Sequence, residues 1–128
     1  MCKVTLLLGE DILRALADHT RIRIVKLLLL GSEPCVCELV DSLRLPQHTV
    51  SRHLSILKKA SIVKERREGT WRYYYLSPDT GSFVGNILAV IRNDFNDKLL
   101  ELDMKLYKQR LDLRENGKCV IGLNGNSC

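Results

Sequence analysis

With 128 residues, 45% of them apolar and 27% charged, and a formal net charge of +5, the chain has room for one real core and not for two. Its longest leucine run, Leu27 to Leu30, is far too short to cross a bilayer, and MCKVTLLLGEDI has only a brief apolar stretch before Gly9, Glu10 and Asp11, so neither a membrane span nor a secretory leader is read. The five cysteines, an odd and scattered set, therefore read as reduced cytoplasmic thiols available as ligands rather than as a disulfide framework.

Residues 5 to 17 predict a helix that is apolar on more than one side, since Leu6, Leu7, Leu8, Ile12, Leu13 and Leu16 exceed what one core face can use. Thr20 reads as the cap of a second helix, with Ile22, Val25, Leu28 and Leu29 on one stripe and Gly31 at its end. Ser32 or Glu33, with Pro34, opens a short third helix running to about Leu43, with Cys35 and Cys37 in its first turn. After RLPQ comes a fourth helix, roughly Gln47 to Ala60, and two short helices joined this closely resemble a helix-turn-helix.

Projected at about 100° per residue, Val50, Leu54 and Leu57 of the fourth helix fall on one face, and His48, Arg52, Ser55 and Lys59 on the other, with Ser51 beside them. IVKERREGTWRYYYL then reads as a β-hairpin turning at Glu68-Gly69-Thr70. Between residues 46 and 76, seven basic side chains stand against only Glu65 and Glu68, so this quarter of the chain carries the whole of the net positive charge. Localised charge of that kind is a nucleic-acid footprint rather than a general bias. Helix-turn-helix followed by a basic hairpin is the winged-helix arrangement. The candidate contacts to double-stranded DNA are Gln47, His48, Thr49, Ser51, Arg52, Ser55 and Lys59 on the helix and Lys64, Arg66, Arg67 and Arg72 on the wing.

From Phe83 to about Leu113 the pattern predicts one long amphipathic helix, with Val84, Ile87, Ile91, Phe95, Leu99, Leu102 and Leu106 on one stripe and Leu88, Leu100, Tyr107 and Leu111 on a second. Such a helix spans ~45 Å, more than a ~30 Å domain can cover, so the first and last helices are expected to form a homodimer interface; a last helix kinked back over its own core is the alternative. The expected fold class is mainly α with a small β-hairpin wing (α+β), in the order ααααββα. Residues 1–113 form the winged-helix and dimerisation domain, and residues 114–128, rich in Gly and Asn, a flexible tail.

LADHTRIRIVKLLL, CVCELVDSL, VSRHLSILKKASIV and EGTWRYYYL, in that order, closely resemble the ArsR/SmtB family of winged-helix transcriptional repressors over roughly residues 8 to 110. The resemblance implies a cytoplasmic homodimer that binds operator DNA and leaves it on taking up a metal or metalloid ion, with no organic cofactor and no enzymatic activity. CVCEL looks like the arsenic-responsive branch, which implies Cys35 and Cys37 as ligands for As(III) or Sb(III). Where that branch often has a third cysteine, this chain has Val40, which leaves Cys2, Cys119 or a small exogenous thiol as the third donor. Thiolates select soft ions, so Cd(II), Pb(II), Zn(II) or thiol oxidation is the alternative trigger. In a regular helix Cys35 and Cys37 point about 200° apart, so a shared ion is expected to reshape the first turn. A thiol enzyme is disfavoured, because Cys-Val-Cys lacks the two-residue spacer of thioredoxin-like motifs and has no βαβ pattern around it.

Overall fold

The computed structural model describes residues 4–122. Helix α1 (Leu6–Leu16) starts at Thr5, whose hydroxyl accepts the Leu8 N–H at 3.2 Å. Helix α2 (His19–Leu28) is capped by Asp18, ahead of the Thr20 read from the sequence, because the Asp18 carboxylate reaches the Arg21 N–H at 3.0 Å. Six consecutive residues of α2, Arg23 to Leu28, are buried, which makes it the axis of the domain. Arg23 lies inside because its guanidinium forks onto Asp103, with both bonds at 2.8 Å, and donates to the Leu43 carbonyl at 2.9 Å.

Helices α3 (Val36–Leu43) and α4 (Gln47–Lys59) form the expected helix-turn-helix. Arg44 ends α3 in the left-handed region (φ 57°), and Pro46 sits at the start of α4. Val50, Leu54 and Leu57 are at most 1% exposed, as the projection requires. Strands β1 (Val63–Glu68) and β2 (Trp71–Leu76) pair antiparallel from Val63↔Leu76 to Glu68↔Trp71, with Gly69 (φ 63°) supplying the tight loop.

The single long last helix is instead two, α5 (Gly81–Asp94) and α6 (Lys98–Leu111), so the order is ααααββαα. The break falls in Asn93-Asp94-Phe95-Asn96-Asp97, where short polar side chains compete for the backbone. Asp97 caps α6 by accepting the Leu100 N–H at 2.9 Å, and the buried Lys26 ammonium donates to the Ile91 and Arg92 carbonyls that end α5. With the chain folded back there, α6 packs on α3 and α2. The kinked alternative is therefore the observed one, and α6 buries Leu100, Asp103, Tyr107 and Arg110 rather than the Leu99, Leu102 and Leu106 stripe. On α1, Leu6, Leu7, Leu8 and Leu13 remain exposed, Leu6 at 86%. Among the described residues no helix is long and apolar enough to cross a membrane.

Candidate metal centre and nucleic-acid face

Cys35 does not lie inside the helix. It is the residue just before α3, in extended conformation (φ −88°, ψ 168°), and its sulfur faces the backbone N–H of Glu38 while the Glu38 carboxylate accepts the Cys35 N–H at 3.1 Å. This is the reciprocal capping box of Ser-x-x-Glu with a thiol in place of the hydroxyl. The consequence is geometric. Released from helical φ/ψ, the Cys35 side chain turns toward that of Cys37, and the two sulfurs stand 2.8 Å apart. The expectation that Cys35 lies inside the helix and points away from Cys37 is thus corrected: the thiols already converge.

A third sulfur joins them. Cys119 Sγ lies 3.1 Å from Cys35 Sγ and 3.5 Å from Cys37 Sγ, and all three residues are at most 2% exposed. None of the three is in a disulfide. Beyond α6 the segment read as the start of a tail packs, over residues 114–122, against the head of α3 and against β2. Asn116 (φ 53°) and Gly117 (φ 74°) turn the chain between the bridged pair Glu115 and Lys118. Two positive φ values in an Asn-Gly loop are the signature of a type I′ turn, a signal that ENGK carries although the Gly- and Asn-rich composition of the stretch predicts a tail.

Arg114 fastens this return. Its guanidinium forks onto Glu38 at 2.6 and 2.7 Å and donates to the carbonyls of Ser32 (3.1 Å), Glu33 (3.0 Å) and Gly117 (3.4 Å). Arg110 bonds Asp41 at 2.7 Å and donates to the Ile121 carbonyl. The Tyr73 hydroxyl of β2 accepts the Cys119 N–H at 3.0 Å. Backbone joins the centre to the wing as well: Cys35 bridges Tyr73, and the Tyr74 N–H donates to the Pro34 carbonyl at 2.8 Å.

Hydrogen bonding from Cys37, assisted by Cys119, lowers the Cys35 thiol pKa against the opposing pull of burial and of the Glu38 charge. Burial, followed by the neighbouring Cys35, pushes Cys119 up to about 12. Of these two thiols Cys35 is therefore the more readily ionised and Cys119 the less. Among the described residues no imidazole or open carboxylate joins the donor set: both Glu38 oxygens are engaged by Arg114, and His53 bonds Arg21 at 3.0 Å. An all-sulfur set fits a soft ion. Metal–sulfur bonds of ~2.3 Å put tetrahedral sulfurs roughly 3.8 Å apart, and bonds of that length at right angles put them roughly 3.3 Å apart. The observed edges of 2.8, 3.1 and 3.5 Å lie nearer the second spacing than the first. Cys2, named as the other third donor, lies outside the described residues.

On α4, Gln47, His48, Arg52, Ser55 and Lys59 are exposed, and Thr49 and Ser51 are half-buried. His53 packs inside at 8% exposure. Lys64, Arg66, Arg67 and Arg72 are exposed on the wing, and Arg67 stands directly opposite Arg72. Arg66 is also held inward, bonded to Glu33 at 2.6 Å and Glu68 at 2.7 Å, with its guanidinium 4.5 Å above the Tyr73 ring.

The family model described as bacterial regulatory protein, arsR family, matches residues 18–65. The chain is 52% identical to an uncharacterized HTH-type transcriptional regulator of Methanocaldococcus jannaschii, over 56% of this chain and 80% of that protein. It is 36% identical to the arsenical resistance operon repressor of Escherichia coli, over 66% of this chain and 73% of the relative. Among solved structures it is similar to reduced HlyU from Vibrio cholerae, with a TM-score of 0.60, 29% identity, and coverage of 70% of this chain and 92% of that one.

Proposed function

Because this chain belongs to the ArsR family of bacterial regulatory proteins, a family of transcriptional repressors and not of enzymes, we propose that it leaves its operator when trivalent arsenic or antimony is taken by Cys35, Cys37 and Cys119. One observation carries the reading: three buried sulfurs converge at 2.8 to 3.5 Å, and among the described residues no histidine or carboxylate joins the cluster. A bound trivalent metalloid supplies three bonds to sulfur in a shallow pyramid.

The rest is done by the chain. Cys35 is one residue from the Pro34 carbonyl that holds β2, and Cys119 hangs its N–H on Tyr73 of the same strand. A clamp on the sulfurs therefore fixes the wing against the head of α3, at the distance from the reading helix that the thiols dictate. Coupling of 1–3 kcal/mol between such sites changes DNA affinity 5- to 150-fold. The α4 residues Gln47, His48, Thr49, Ser51, Arg52, Ser55 and Lys59 read the groove, while Lys64, Arg67 and Arg72, with Arg66 when released from Glu33, meet phosphates. Arg52→Ala is expected to weaken operator binding by about 1–3 kcal/mol, while Lys64→Ala lowers affinity evenly across sequences and reduces the salt slope by about one. Titration of both variants against operator and scrambled duplexes at two salt concentrations checks this.

The operator-binding form we propose is a homodimer through α1 and α5. Exposed Leu6 and Leu13 line an open, largely apolar groove of about 1030 Å³ with Val4, Gly9 and Phe83, and Leu7 and Leu8 add exposed apolar surface on the same helix, a surface that a monomer would leave wet. A two-fold pair presents two reading heads to a palindromic site.

The decisive experiment is a release assay run as an ion panel at two pH values. Arsenite condenses with thiols to give water, so each thiol proton leaves with a hydroxide; Cd(II) displaces protons into solution, and its binding falls as pH is lowered. Arsenite is expected to free the operator, with two chains per site before addition, at pH 6 and pH 8 with similar potency. Release by cadmium or peroxide with no response to arsenite would replace this reading with the corresponding trigger.

A further inference from the structure

We infer that Arg114 is the positioning residue that sets how many thiolates the centre offers, and so whether it prefers an inducer forming three bonds to sulfur or one forming two. The inference rests on the proposed arsenical site and deepens it.

Two of the three ligands come from the head of α3, but Cys119 comes from the far end of the chain, beyond α6 and a two-residue turn. What seats that turn is one buried guanidinium. Four of the five acceptors of Arg114 (two Glu38 oxygens and the Ser32 and Glu33 carbonyls) belong to the segment 32–38 that carries Cys35 and Cys37, and the fifth, the Gly117 carbonyl, belongs to the turn that delivers Cys119. Its partner Glu38 is fully buried and at the same time caps Cys35, so ligand placement on both sides runs through a single ion pair. Of the other fastenings, Lys118 to Glu68 is exposed, Arg110 pairs with a half-exposed Asp41, and the buried Tyr73 hydroxyl holds the Cys119 N–H through one neutral hydrogen bond.

Bond counting turns this placement into selectivity. With arsenite, As(OH)3, three As–O bonds break and three As–S bonds form; three waters leave carrying the thiol protons, and no electrons change hands. A monoaryl arsenical, R–As(OH)2, exchanges two hydroxyls, forms two As–S bonds, releases two waters and keeps its As–C bond, and the third thiol keeps its proton. Cys35 and Cys37 alone satisfy the second; only a seated Cys119 satisfies the first.

The test compares wild type, Arg114→Gln and the double variant Glu38→Gln/Arg114→Gln, in which no charge is stranded and a glutamine still fills the capping box. Arsenite and phenylarsine oxide affinities are measured on the purified full-length protein, and arsenic X-ray absorption counts sulfur neighbours. Wild type is expected to give three sulfurs with arsenite and two with phenylarsine oxide. Both variants are expected to drop to two sulfurs and lose arsenite affinity at least about tenfold, while phenylarsine oxide binding stays unchanged. Three sulfurs with undiminished arsenite affinity in the variants, or equal loss of both probes, overturns the role of Arg114. Arsenic without protein sulfur in the wild type overturns the site itself, and the inference with it, and is told apart because it needs no variant to appear.

Discussion

Cys35→Ser is expected to yield a protein at least as stable as the parent that binds operator normally and stays bound when arsenite is added. The two halves of this outcome have separate causes. Cys35 is the cap of α3, facing the Glu38 backbone N–H while Glu38 takes its own N–H at 3.1 Å. Serine is among the best residues at that position, and a good cap is typically worth about 1 kcal/mol. As a cap, the thiol is the weaker choice, and its replacement by hydroxyl tightens the first turn of α3.

Loss of response follows from the same exchange. A hydroxyl does not serve as a soft-ion ligand at neutral pH, and removing one arm of a three-point clamp forfeits the intramolecular advantage of that arm, at least about a hundredfold in affinity. Cys37→Ser is expected to lose the response equally. Buried at 1% exposure, its hydroxyl has the Ile121 carbonyl, 3.7 Å from the present sulfur, as an acceptor close by, so the fold survives. Cys119→Ser leaves the α3 pair in place and is expected to respond partially, at higher arsenite. Thermal melting together with an operator-release titration reads both halves. A Cys35→Ser protein that still leaves its operator at wild-type arsenite concentrations would falsify the assignment.

The sequence made some of this legible and hid the rest for identifiable reasons. Helix α4 was readable because Val50, Leu54 and Leu57 recur at helical spacing and nothing in their neighbourhood overrides it. The wing was readable because Gly69 stands between Ile62-Val63 on one side and Trp71 with Tyr73 to Tyr75 on the other. The division of α5 from α6 was not, since the apolar stripe continues through Phe95 in register while the deciding contacts are long-range: Lys26 caps the end of α5 from another helix, and Asp103 draws α6 onto Arg23. Periodicity reports a face; it does not report where a buried charge from elsewhere will end a helix. The convergence of Cys35 and Cys37 was hidden by treating Cys35 as helical, although Cys-x-x-Glu read as a capping box with sulfur for oxygen would have placed it outside. Cys119 was available as a candidate third donor, but its seat depends on Arg114 finding Glu38, a pairing 76 residues apart that no local pattern announces.

That pairing underlies the largest stability effect expected in the molecule. Glu38→Ala removes a carboxylate with no exposed surface, and with it the α3 capping box and both bonds of the Arg114 fork. The guanidinium left behind is 13% exposed and keeps backbone carbonyls and the Tyr73 ring, 5.6 Å away, but loses its carboxylate, whereas paired with Glu38 its charge is held more firmly than that of a free arginine. Breaking a buried pair from one side costs about 3–5 kcal/mol, because the surviving charge has been taken out of water and has no counter-charge. Loss of the cap interaction adds up to about 1 kcal/mol. For a chain of this size the melting temperature is expected to fall by roughly 10–20 °C.

Replacing both members separates the ion pair from the packing it sits in. Glu38→Leu with Arg114→Met leaves no buried charge, and well-packed apolar substitutes for an ion pair are commonly neutral or stabilising. The double variant is expected to recover most of the melting temperature lost by Glu38→Ala. It is not expected to recover arsenite response, because the five bonds that bring the Cys119 turn to the head of α3 are gone whatever fills the space. Calorimetry on Glu38→Ala and the double variant, alongside operator release, checks both statements. If the double variant melts as low as Glu38→Ala, the cost lies in the cap and the packing of α3 rather than in a stranded charge. If it melts like wild type and also responds like wild type, the ion pair has no part in holding the third sulfur.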